Sequence, residues 1–163
     1  MSSTNRTSVV DLPARRPIEY SITDLRRKKL STLKADTHGI ASLAFSPDGK
    51  RLAAAGTSIH VWELPDGKQS PEFEGHGASV SLVAFSTDGK TLASLGFDGT
   101  ARFWETTTWR QRHQAAHPRM WSNASAFSPS LDVLAHGDTS TRRVTLVEAR
   151  TGKVPVFVGI GRQ

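Results

Sequence analysis

Ser94, His76 and Asp98 are the residue types that a hydrolase combines as nucleophile, base and orienting carboxylate. That chemistry needs the serine on a strained, exposed turn of the Gly-x-Ser-x-Gly kind. Ser94 lies instead in Leu92-Ala93-Ser94-Leu95-Gly96, an apolar stretch that supplies no such turn. A structural hydroxyl is the better reading. His113 and His117 stand four apart, a metal-binding spacing if the segment were helical. Here they span a strand-to-loop step, so structural or solvent-facing roles are expected. The chain has no cysteine, which removes disulfides and thiolate metal sites. The glycines fall at turns rather than in a phosphate-binding loop. No catalytic residue, metal or cofactor is expected.

The elements that position these residues are set by an internal repeat. Phe45-Ser46-Pro47-Asp48-Gly49-Lys50 recurs 40 residues later as Phe85-Ser86-Thr87-Asp88-Gly89-Lys90, and Phe127-Ser128-Pro129 is an eroded third copy. Leu52-Ala53, Leu92-Ala93 and Leu134-Ala135 follow in turn. Beyond them come Val61-Trp62-Glu63, Phe103-Trp104-Glu105 and Leu146-Val147-Glu148. Gly75-His76 has its later echo in Ala116-His117, and Asp36 takes the histidine position one period earlier. Thr23-Asp24-Leu25 lines up with Trp62-Glu63-Leu64, and Leu33 with Phe73.

Each unit reads as short strands joined by turns. Asp48-Gly49 and Asp88-Gly89 are hairpin signals, because glycine supplies the positive φ that such turns need. The pattern predicts strands near 40–46, 51–55, 58–63 and 70–74 in the first copy. It predicts 79–86, 91–95, 100–105 and 110–114 in the second, and 122–128, 132–136, 143–148 and 154–158 in the third. Residues 18–34 would supply the last strands of a preceding unit. Residues 1–17, with Pro13, Pro17 and few large apolar groups, are expected to be disordered.

These motifs resemble the WD-repeat family of β-propellers, and their turns look most like those of bacterial members. The second copy carries the resemblance best: Gly75-His76, Phe85 to Lys90, Leu92-Ala93-Ser94, Asp98-Gly99-Thr100 and Trp104-Glu105. The resemblance spans residues 18–163, with repeat units at about 36–75, 76–116 and 117–159. It implies an all-β partial β-propeller of about three and a half four-stranded antiparallel blades. It also implies a structural hydrogen-bond network of His76, Ser94, Asp98 and Trp104. In that network the carboxylate accepts from the imidazole and the hydroxyl links imidazole to indole. The first copy keeps only Trp62 of the four, with Asp36 and Ala54 in place of histidine and serine. The third keeps His117 but has His136 in the serine position and Val147 in the tryptophan position, so it is expected to be the least stable.

The net charge is +6. Residues 1–37 hold eight Lys/Arg against four Asp/Glu, leaving thirteen against eleven for residues 38–163. The excess gathers around Arg26-Arg27-Lys28-Lys29, which could attract phosphate. A solvated turn is the plainer reading, and nucleic acid is not the expected partner. No apolar run reaches the ~18 residues of a membrane span, and the N-terminus lacks an apolar signal core. The default compartment is the cytoplasm.

The expected function is therefore a non-enzymatic scaffold for other proteins. Partner contact is expected on the loops that hold Phe97 and Arg119-Met120-Trp121, although Trp121 also suits core packing. The alternative is a non-catalytic appendage of a larger enzyme or signalling protein, such as a kinase. Propellers close with about 4–8 blades. The remaining blades would come from a longer gene product or from a second chain completing a seven- or eight-bladed ring. The chain by itself is expected to be poorly stable or to self-associate.

Overall fold

The computed structural model describes residues 18–23, 30–35, 39–64, 66–71, 73, 75–117, 124–138 and 142–153. Among these there are thirteen strands and no helix. β1 (Ile18–Thr23) and β2 (Leu30–Ala35) form a two-stranded antiparallel sheet. β3 (Ile40–Phe45), β4 (Arg51–Gly56), β5 (Ile59–Glu63) and β6 (Lys68–Gln69) form a four-stranded meander. β7 (Val80–Phe85), β8 (Thr91–Gly96), β9 (Thr100–Glu105) and β10 (Gln111–Ala116) form the next. β11 (Ser125–Phe127), β12 (Val133–Asp138) and β13 (Arg143–Glu148) form a third sheet. This is the expected all-β architecture, a series of antiparallel blades in an open arc.

The repeat is exact in backbone detail where the sequence repeats. In the turn after β3, the Ser46 hydroxyl donates to Asp48 Oδ1 (2.6 Å), which also accepts from the Lys50 N–H (3.0 Å). Ser86, Asp88 and Lys90 repeat both bonds at the same distances. Gly49 and Gly89 hold positive φ at +68° and +67°. The third copy has lost this glycine. Leu131 takes the position with φ +60° and is buried. A branched side chain in the left-handed region costs roughly 1–2 kcal/mol, which local packing must offset. At the turn between third and fourth strands Trp109 stands likewise (φ +56°) where Gly67 and Gly152 stand in the neighbouring blades. Its ring packs edge-on against Phe73, and the Arg51 guanidinium lies 5.5 Å from its centre. These contacts from the preceding blade hold the strained residue in place.

One expected strand is corrected. The fourth strand of the first copy, expected at 70–74, is Lys68–Gln69. The Gly67 turn closes on the Glu63 carbonyl, so pairing with β5 starts at once (Glu63↔Lys68, Trp62↔Gln69). Pro71, with no N–H, cannot extend the ladder. The expected strand 154–158, the segment 1–17 and the basic run Arg26–Lys29 lie outside the described residues.

The core lies in seams between successive sheets. Ala53, Ala55, Ile59 and Val61 of the β3–β6 blade meet Val80, Val83, Phe85, Leu92 and Trp104 of the next. Ala93, Leu95, Ala101 and Phe103 meet Leu131, Leu134 and Ala149 of the third sheet. Leu33 of β2 packs with Leu52, Ala54 and Trp62. The second strand of each full blade is buried on both faces, which explains its run of small residues. Alanine and glycine let flanking sheets approach closely.

Candidate functional site

The β7–β10 blade brings His76, Ser94, Asp98 and Trp104 together from two strands and two loops. The Trp104 indole N–H donates to Ser94 Oγ at 2.9 Å. Ser94 Oγ lies 2.8 Å from His76 Nε2, and His76 Nδ1 lies 3.0 Å from Asp98 Oδ2. One proton arrangement satisfies every group: serine donates to Nε2, and Nδ1–H donates to the carboxylate. Burial holds the imidazole pKa below its ordinary value, against the opposing pull of Asp98. His76 is therefore neutral and free to accept from serine. Burial alone would raise the Asp98 carboxyl, but bonds from Thr100, the Gly77 N–H and His76 overcome it and set its pKa at about 2.

The polarity matches a catalytic triad, but the access does not. Ser94 is 0% exposed, and its oxygen is held between indole and imidazole. A nucleophile must reach an incoming carbonyl, and this one faces the core. The arrangement is suited to locking a loop. Asp98 also accepts from the backbone and side chain of Thr100 (3.0 and 2.8 Å) and sits 3.6 Å from Arg102. Thr100 and Arg102 were not among the residues expected from sequence. A polar residue two or four positions after the turn aspartate was the available signal.

The flanking blades replace this lock differently. In the first, His60 stacks on Trp62 with ring centres 5.8 Å apart and bonds to Ser58 and Gln69 (2.8 Å each). In the third, His136 stands at the serine position with its Nε2 against Nε2 of His117, while its Nδ1 bonds Ser125 Oγ at 2.8 Å. Burial, then the neighbouring His117, lowers the His136 pKa to about 4. Between pH ~6.5, the unfolded value, and pH ~4, the unfolded chain binds a proton that the folded chain excludes. Folding stability is thus intact above pH ~6.5 and falls as pH drops toward 4. His136→Ser is expected to flatten the decline in melting temperature between pH 7 and 5; an unchanged slope would place the acid sensitivity elsewhere.

His113 and His117 do not converge. The His113 ring meets the carbonyl of Arg150, whereas His117 turns inward to His136. Among the described residues no group of three potential metal ligands occurs. Phe97 lies at the β8–β9 turn, 39% exposed, with its N–H donating to the Ser79 carbonyl. Beside this loop face a cleft of about 310 Å³ opens between the blades, lined by Thr57, Ser58, Ile59, Phe73, Gly75, His76 and Val80. Arg119, Met120 and Trp121 lie outside the described residues.

Comparison with known proteins agrees with this geometry. The family described as WD domain, G-beta repeat matches residues 27–63 and 67–105. The chain is 28% identical over 115 residues to U3 small nucleolar RNA-associated protein 15 of Schizosaccharomyces pombe, covering 68% of this chain and 23% of that protein. It is 36% identical over 97 residues to the Target of rapamycin complex subunit wat1 of the same yeast (58% and 28%). It is 32% identical over 135 residues to the Periodic tryptophan protein 2 homolog of Dictyostelium discoideum (78% and 15%). The chain thus spans less than a third of the length of each of these relatives.

Proposed function

Since the chain belongs to the WD-repeat family, we propose that it serves as part of a protein-interaction scaffold and performs no catalysis itself. One observation carries this reading. The triad-like residues are spent inside the second blade, with Ser94 sealed between Trp104 and His76. They hold a loop surface in place and do not themselves stand on it as reactive groups. A similar protein named as a subunit of a complex supports an assembly role. The remaining blades belong to the same scaffold, and the cytoplasm is its compartment. No helix among the described residues is long and apolar enough to cross a membrane.

Phe97 is the contact we assign first, because an exposed aromatic on a rigid turn loses little entropy on binding. Phe97→Asp in the full gene product is expected to lose a defined subset of co-purifying proteins while the melting temperature stays unchanged. An unaltered set of partners would remove Phe97 from the interface.

A further inference from the structure

The bonds that cross the two seams differ in kind. Between the first and second blades, the Val83 N–H donates to Ser42 Oγ (3.2 Å) and the Arg51 guanidinium donates to the Thr106 carbonyl (3.1 Å). Between the second blade and the third sheet, Thr87 donates twice to the Pro129 carbonyl, from its N–H (3.1 Å) and its hydroxyl (2.9 Å). The other bonds of this seam are made by imidazoles. Nε2 of His117, just past β10, meets Nε2 of His136 on β12, and the His113 ring meets the Arg150 carbonyl.

The His117–His136 contact depends on protonation. Both rings are buried, with 8% and 2% of their surface exposed. A neutral imidazole has one N–H, so the contact holds when one Nε2 donates and the other accepts. His136 Nδ1 is taken by Ser125 Oγ on β11 (2.8 Å). On β13 the residue opposite His136 is Thr145, and Asp138 and Arg143 pair two residues further along the ladder. From the second blade, the Gly99 carbonyl accepts the His117 N–H, while Asp98 is engaged with His76, Thr100 and Arg102. Among the described residues the charged group that acts on His136 is His117. With both rings protonated, two donors face each other without an acceptor, and two like charges share an apolar seam. The second blade escapes this conflict. There the partner of His76 Nε2 is a hydroxyl, and Asp98 stands ready to hold an imidazolium.

We propose that the His117–His136 pair is an acid-operated latch, which docks the third sheet on the second blade at neutral pH and releases it in acid while the first two blades stay joined. Release uncovers Ala93, Leu95, Ala101 and Phe103 on one side, and Leu131 and Leu134 on the other. Burial and then His117 hold the His136 pKa down to about 4, so the docked sheet excludes a proton that the released sheet binds near pH ~6.5. Docking is therefore complete above pH ~6.5 and weakens as pH falls toward 4. The latch goes beyond the scaffold reading, because it makes the surface that the scaffold shows depend on protons.

Hydrogen exchange of the whole chain at pH 7 and pH 5 reads the latch, with each amide referred to its intrinsic rate at the same pH. Protection of β12 is expected to fall by about tenfold or more between the two, as a pKa displaced from ~6.5 to about 4 requires. β4 and β5 are expected to keep theirs within about threefold. Equal losses in all three sheets would mean ordinary acid unfolding and would overturn the proposal, as would undiminished protection of β12 at pH 5. His136→Ser puts the second blade's hydroxyl into the third sheet and is expected to hold β12 protection constant within about threefold; a persisting acid response would overturn the latch. His113→Gln is expected to lower β12 protection by the same factor at both pH values. An acid response that vanished with it would move the switch to the Arg150 contact and away from the pair. Should either variant fail to fold, the imidazole resonances of the unaltered chain decide. His136 is expected to stay neutral while docked and to titrate only with release, and titration near pH ~6.5 in a sheet still docked would contradict the proposal.

Discussion

Trp104→Ala is expected to lower the stability of the chain by about 3–5 kcal/mol, the usual range for deleting a buried tryptophan. The side chain is almost fully buried in the seam between first and second blades. Its loss removes an edge-on contact with Phe73 at 5.3 Å and the donor to Ser94 Oγ. Folded domains are stable by only about 5–15 kcal/mol, so this one change removes a large share. At roughly 2–4 °C per kcal/mol for a chain of this size, the melting midpoint falls by roughly 6–20 °C. Trp62→Ala, in the blade that has lost the network, is the informative comparison. Its ring also packs in a seam, with Leu33, Leu52 and Ala54, but His60 spends its nitrogens on Ser58 and Gln69. Thermal denaturation of the two variants is expected to show the larger loss for Trp104, and equal losses would mean that the network adds nothing beyond burial.

The second large effect is at Gly96, where no side chain is tolerated. A Cβ there would lie 2.6 Å from Asp98 Oδ1 and closer still to His76 Nδ1. The methyl would have to force apart the pair that fixes the loop. Overpacking costs about 1–3 kcal/mol, and a bond to a charged group contributes about 1.5–3 kcal/mol. Gly96→Ala is therefore expected to destabilise by about 3 kcal/mol. Asp98→Ala alone also breaks the pair, so the two changes share one loss. A double-mutant cycle by denaturant unfolding is expected to give a combined cost well below the sum. Full additivity would show that Gly96 is required for some other reason.

How far the sequence could be read depended on where the repeat retained its glycines and polar turn residues. Asp48-Gly49 and Asp88-Gly89 announced their hairpins because few residues other than glycine take that φ readily. At Trp109 and Leu131 the repeat period placed the turns but not their left-handed backbone, which nothing in a tryptophan or a leucine signals. Their conformation is imposed by packing from neighbouring blades, which a local reading cannot see. The short β6 also lies away from its expected place: Phe73, inside the expected strand, serves the next blade's tryptophan from beyond the ladder's end. At the site, the spacing of His76, Ser94, Asp98 and Trp104 was legible through resemblance to a family. The supporting roles of Thr100 and Arg102 depend on side-chain direction and were not. The His117–His136 contact follows from substituting histidine into a position built for serine, and its consequence for acid stability needed the burial to be known.

Stability in this open arc of blades is expected to concentrate in the second, locked on both sides by seams. Hydrogen exchange of the isolated chain, followed strand by strand, tests it most directly. The slowest amides are expected in β8 and β9, where Ala93, Ser94, Ala101 and Phe103 are buried between two seams. Intermediate protection is expected in β4 and β5. The fastest strands are expected to be β1, which belongs to a two-stranded sheet among the described residues, and β13, where Val144 and Leu146 face outward. That gradient is the predicted result. Uniform protection from β1 to β13, as in a single closed unit, would contradict it.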